Sequence, residues 1–141
     1  MFQSAQAVLF DLDGTLIDSA PDIMTSVNLM LCDLGQTGHD EAAIIGWIGN
    51  GVERLVKRAL TGAKAGEPDP RLFERALTLF RQHYRAHLCE RSRPYPGVVA
   101  GLTVLQQQGF QLCCITNKAG AFTEPLLRAL DLQRFFGLVL S

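Results

Sequence analysis

The sequence predicts an α/β protein: a parallel sheet with helical connections, interrupted after its first strand by a long all-helical insertion. Three observations carry that reading. Short apolar runs at Ala7–Phe10, at about 110–116 and at Gly137–Leu140 have strand length, and helical segments separate the last two. Residues 20–91 keep helical periodicity and show no strand pattern. Hydrophobic side chains make up 48% of the 141 residues, enough for a core and too many for a disordered chain.

Ala7-Val8-Leu9-Phe10 leads directly into Asp11-Leu12-Asp13-Gly14-Thr15, an abrupt change from apolar to acidic chemistry at a strand end. In open parallel sheets, ligands bind outside such ends. Ser19 is placed to cap the next helix and Pro21 suits its first turn; Ile23, Val27, Met30, Leu31 and Leu34 then recur at helical spacing until Gly35. A short helix starting near His39 or Asp40 carries Ala43, Ile44, Trp47 and Ile48, and Gly49-Asn50-Gly51 opens a third helix. Thr61 to Pro70 reads as a loop. The fourth helix follows Asp69-Pro70, with Leu72, Phe73, Ala76, Phe80, Tyr84 and Leu88 as its apolar row.

Arg93-Pro94-Tyr95-Pro96-Gly97 restricts the backbone and marks the return from the insertion. A helix then reaches Gln108 and stops at Gly109, a strand runs from Phe110 to Thr116, and Asn117-Lys118-Ala119-Gly120 turns into a helix ending near Leu130. Right-handed crossovers put the strand ends carrying Asp11 and Thr116 at one edge of the sheet. The expected division is 1–19 with 92–141 for the α/β core and 20–91 for the helical insertion.

Composition removes several function classes. The net charge is −1, from 13 basic and 14 acidic residues without a run of one sign, which gives no surface for nucleic acid or membrane. No apolar run reaches the roughly 18 residues of a membrane span, and a cytoplasmic protein is expected. Cys32, Cys89, Cys113 and Cys114 lack Cys-x-x-Cys spacing and read as buried reduced thiols. His83 and His87, one helical turn apart, read as a solvated face. A calcium loop needs glycine sixth and glutamate twelfth; counting from Asp11, Gly14 is fourth and Asp22 twelfth. Gly49-Asn50-Gly51 fails as a dinucleotide fingerprint, since Arg54 stands where the third glycine belongs.

Asp11-Leu12-Asp13-Gly14-Thr15 resembles the first signature, DxDGT, of the haloacid dehalogenase superfamily of aspartate-nucleophile phosphatases. Its continuation through Leu16-Ile17-Asp18-Ser19 resembles the phosphoglycolate phosphatase branch, and Thr116-Asn117-Lys118 is similar to the second signature. The resemblance implies a partial doubly wound, Rossmann-like sheet with an inserted helical cap. It implies a Mg2+-dependent phosphatase of a small phosphorylated metabolite, foremost 2-phosphoglycolate. Asp11 would be the nucleophile and a metal ligand. Asp13 would protonate the leaving group, activate water and give the metal its backbone carbonyl. Thr116 and Asn117 would bind phosphate.

Asn50, Arg54 and Lys118 are candidates for holding the rest of the substrate, against an alternative in which they are ordinary loop and surface residues. Asp13 points to phosphate esters, because relatives that cleave carbon–halogen or carbon–phosphorus bonds lack that second aspartate. A sugar-phosphate mutase of the same superfamily and a non-catalytic fragment or binding module remain open. Family members continue with a lysine and a strand ending in an acidic pair, beyond the residues present here. The resemblance therefore implies the N-terminal part of a longer phosphatase, impaired alone, with a bare Val8–Phe10 edge prone to self-association.

Overall fold

A computed structural model of the protein describes residues 6–141; the first five residues of the expected core lie outside it. The elements in chain order are β1 (Ala7–Phe10), β2 (Ile17–Asp18), α1 (Ala20–Asp33), α2 (Glu41–Ile45), α3 (Val52–Thr61) and α4 (Pro70–Ala86). Then come β3 (Arg93–Pro94), α5 (Val98–Gln107), β4 (Gln111–Ile115), α6 (Gly120–Ala129), a short 3-10 turn (Gln133–Phe135) and β5 (Leu138–Leu140). They form two compact units: Ser19–Ser92, and Arg93–Ser141 with the described part of Met1–Asp18.

The second of these is the α/β unit. Its strands lie in the order β1-β4-β5, all parallel, with Phe10 opposite Cys114 and Cys113 opposite Leu138. Both crossovers step the same way along the sheet, so their right-handedness puts α5 and α6 on one face. That face is packed: Leu112 and Cys114 of β4 and Leu102 of α5 are buried, and Phe10 meets Phe136 edge to face at 6.4 Å. Strand alternation sends Leu9, Cys113, Ile115, Leu138 and Leu140 to the other face. There Leu9 is 63% exposed and Leu138 and Leu140 are each 48% exposed. β1 is an edge strand, with β4 on one side and no other strand pairing among the described residues.

A two-residue antiparallel ladder joins β2 to β3, with Ile17 opposite Pro94 and Asp18 opposite Arg93, and Tyr95 N–H donates to the Leu16 carbonyl at 3.0 Å. This ladder was not expected from the sequence. Two residues are too few to show a period, and Pro94 argues against a strand except at an edge.

The other unit is all-helical among its described elements. α1 packs on α4, with further contacts to α2 and α3, and α3 also packs on α4. Ile23, Val27, Met30 and Leu31 of α1 meet a core that includes Leu55 and Val56 of α3 and Ala76, Leu77, Phe80 and Tyr84 of α4. Of the expected α4 row, Ala76, Phe80 and Tyr84 are buried, Leu72 and Phe73 are half-buried, and Leu88 lies beyond the helix end at Ala86, while Leu77 is buried as well. Asp40 and Asp69 cap α2 and α4 by accepting backbone N–H bonds. Ser19 occupies the N-cap of α1, but its hydroxyl makes no capping bond. Glycine at position 35, with φ +70, supplies the left-handed turn beyond the end of α1.

None of the four cysteines is in a disulfide, but only Cys114 is buried, while Cys32 is exposed on α1. His83 Nε2 lies 2.7 Å from Asp33 Oδ2, and His87 Nδ1 lies 2.9 Å from Glu90 Oε1. Each histidine thus faces its own carboxylate. No helix among the described residues is long and apolar enough to cross a membrane.

Candidate active site

The loop after β1 folds around one carbonyl. Leu12 is fully buried and pins the loop, while its carbonyl accepts from the N–H groups of Thr15, Leu16 and Ile17 at 3.2, 3.0 and 3.2 Å. Gly14 has φ +78, a left-handed conformation that a side chain would strain, and its N–H donates to the Ile17 carbonyl at 2.9 Å. The two aspartates flanking buried Leu12 differ in exposure. Asp11 is exposed, with Oδ1 accepting from Leu12 N–H at 2.8 Å. Asp13 is largely covered, its side chain 14% exposed.

The neighbouring strand delivers the second half of the site. Parallel pairing ends near Phe10 and Cys114, so Asp11 and Thr116 leave the sheet at the same edge, one and two residues later. Thr116 is buried; its N–H donates to the Leu140 carbonyl at 2.9 Å, and its Oγ1 accepts from Lys118 N–H at 3.1 Å. Asn117 between them is exposed. Lys118 turns inward, where Nζ lies 3.2 Å from Asp13 Oδ1 and 3.3 Å from Oδ2. Thr123 in the first turn of α6 donates from Oγ1 to the carbonyls of Lys118 and Ala119, at 3.0 and 3.1 Å.

Two pKa shifts describe the electrostatics. Burial pushes the Lys118 ammonium below the usual lysine range, and Asp13 opposes that by charge and hydrogen bonding. Burial, with the negative charges of Asp11 and Asp13 behind it, pushes the Cys114 thiol up to about 11. The strand end is therefore a place of negative potential held against one buried cation.

Asp13, Thr116 and Lys118 are thus brought together by direct contacts, with Asp11 two residues from Asp13. Asn50 and Arg54 belong to the helical unit. There Asn50 Oδ1 accepts from Arg58 Nη1 at 2.9 Å, and Arg54 Nη1 meets Glu67 Oε1 at 3.4 Å. For Thr123 the sequence carries only a weak signal, a threonine in a first helical turn. Among the described residues, no group of three or more histidine, cysteine, aspartate or glutamate side chains converges as a metal cage.

A family profile described as haloacid dehalogenase-like hydrolase matches residues 5–141. The phosphoglycolate phosphatase of Nitrosospira multiformis is 50% identical over 136 residues, covering 96% of this chain and 60% of that protein. That of Thiobacillus denitrificans is 47% identical over the same span, with the same two coverages, 96% and 60%. The crystal structure of a predicted phosphoglycolate phosphatase from Haemophilus somnus superposes with a TM-score of 0.87 at 33% identity, over 99% of this chain and 64% of that one. The chain thus spans about 60% of the length of the curated relatives it matches.

Proposed function

The chain belongs to the haloacid dehalogenase-like hydrolases, and from that premise we propose that it serves a Mg2+-dependent phosphatase of small phosphorylated metabolites, 2-phosphoglycolate foremost. The observation that carries this reading is one sheet edge holding Asp11, Asp13, Thr116 and a buried lysine. A phosphate monoester repels an incoming anion, so its hydrolysis needs alignment and neutralised charge. That edge has the groups to supply both.

In the proposed reaction an Asp11 oxygen attacks phosphorus and the bond to the ester oxygen breaks, leaving an aspartyl phosphate. Asp13 gives its proton to the departing alkoxide. Asp13 then takes a proton from water, which attacks the aspartyl phosphate, releases inorganic phosphate and restores Asp11. Thr116 and Asn117, at the turn before α6, offer hydrogen-bond donors to the phosphoryl oxygens.

Mg2+ takes hard oxygen donors, keeps several waters and often uses only one or two carboxylates. An exposed Asp11 carboxylate beside the Asp13 backbone is of that chemistry and leaves room for water, so the residues fit the ion. When bound, it would supply positive charge against the phosphoryl group and the attacking carboxylate. The helical unit Ser19–Ser92 is read as the family's cap. Within it, Asn50, ordered by Arg58, and Arg54 are the candidates for the substrate's other end. A cytoplasmic location accompanies the proposal.

The test is phosphate release from 2-phosphoglycolate, with and without Mg2+, by the protein carrying this chain at its natural length. Asp11→Asn is expected to lower the rate by at least about a thousandfold, because the reaction loses its nucleophile. Wild-type turnover by that variant would refute the mechanism. Recovery of an isomeric phosphate ester in place of inorganic phosphate would identify a mutase.

A further inference from the structure

We propose that Lys118 is the positioning residue of Asp13: its ammonium fixes the direction of the carboxyl that serves the leaving group. The inference rests on the phosphatase reading above and moves Lys118 from substrate contact to the support of a catalytic side chain.

The ammonium stands at nearly equal distances, 3.2 and 3.3 Å, from the two Asp13 oxygens. It therefore faces the carboxylate close to its bisector and does not grip one oxygen alone. The Lys118 side chain is 4% exposed, so water competes weakly for this contact. Leaving such an ammonium buried without its carboxylate would be strongly unfavourable.

The backbone of Lys118 is itself anchored on both sides. Its N–H donates to Thr116 Oγ1 at 3.1 Å and its carbonyl accepts from Thr123 Oγ1 at 3.0 Å. The cation is thus mounted between the end of β4 and the start of α6, while its partner lies 105 residues earlier, beyond β1. An aspartate carboxyl has two side-chain torsions, and this ammonium is one of the contacts that set them in Asp13. Misplacing a catalytic group by about 1 Å can cost on the order of 100-fold in rate.

The experiment compares leaving groups in the protein carrying this chain at its natural length. Single-turnover release isolates transfer to Asp11 from the later hydrolysis. The alkoxide of 2-phosphoglycolate needs a proton from Asp13, whereas the nitrophenolate of p-nitrophenyl phosphate departs without one. In Lys118→Met, release from 2-phosphoglycolate is expected to slow about 100-fold, with half-saturation moved less than about threefold. Release from p-nitrophenyl phosphate should slow by less than about tenfold.

Asp13→Asn should show the same split, and the double variant should be no slower than Asp13→Asn. A tenfold or greater weakening of half-saturation with the rate retained would make Lys118 a substrate cation, and equal slowing on both substrates would make the pair purely structural; either overturns the proposal. If Lys118→Met does not fold, the double variant, which strands no charge, is compared with Asp13→Asn: equality supports positioning and further slowing overturns it. Failure of the phosphatase reading itself would be seen separately, as an Asp11→Asn protein that keeps full activity.

Discussion

Cys114 senses the charge of the site while standing behind it. Its thiol is buried in β4, and burial together with Asp11 and Asp13 raises its pKa from 9.0 to about 11. The sign of the consequence follows from linkage: between those values the unfolded chain gives up the thiol proton and the folded chain keeps it. That contribution to stability is complete below pH 9.0 and is lost as pH rises toward about 11. The thermal midpoint is expected to fall across that window, and to fall less steeply in Cys114→Ala, whatever the variant's absolute stability. Parallel curves for the two proteins would dissociate the thiol from the alkaline loss. At this scale the sequence was informative where chemistry is concentrated in a motif, as at Asp11, Asp13 and Thr116. It was silent on Lys118 as a buried partner of Asp13, because a lysine after a strand usually reaches solvent, and silent on Thr123, whose anchoring role exists only once α6 has been placed.

Asp22 shows what holds an element rather than a site. It lies in the first turn of α1, is 1% exposed, and accepts from Arg91 N–H at 3.0 Å and from Ser92 N–H and Oγ at 2.7 Å. The start of the helical unit is thereby tied to its end. Asp22→Ala would leave buried donors without that acceptor and is expected to destabilise the fold by about 3 kcal/mol, read as a lower urea midpoint. A change within about 0.5 kcal/mol would mean water replaces the carboxylate. The long helices were legible because period and caps agreed, as in α4, where Asp69-Pro70 opens a row that includes Ala76, Phe80 and Tyr84. The β2–β3 ladder and the Asp22 contacts were not, since both depend on residues some 70 positions apart meeting in space. An acidic residue in the first turn of a helix reads from sequence as a favourable dipole contact and nothing more.

At the scale of the whole molecule, the described residues of the α/β unit leave one side of β1 without a partner strand and one sheet face uncovered. α5 and α6 cover one side of β1-β4-β5, while Leu9, Ile115, Leu138 and Leu140 on the other are 63, 42, 48 and 48% exposed. β1 pairs only with β4 among the described residues, and Ala7–Phe10 carries no charge or proline to discourage a further strand. A contiguous apolar face of this kind is a surface for association, and its neighbour along the chain is the very loop that holds Asp11. The 141-residue chain is therefore expected to self-associate with rising concentration. Leu9→Lys puts a charge at the centre of the edge and face together. Light scattering should find wild-type mass rising across the micromolar range and the variant much closer to a monomer, with unchanged helical content. A wild-type chain that stays monomeric at high micromolar concentration would show that the uncovered face is tolerated in water.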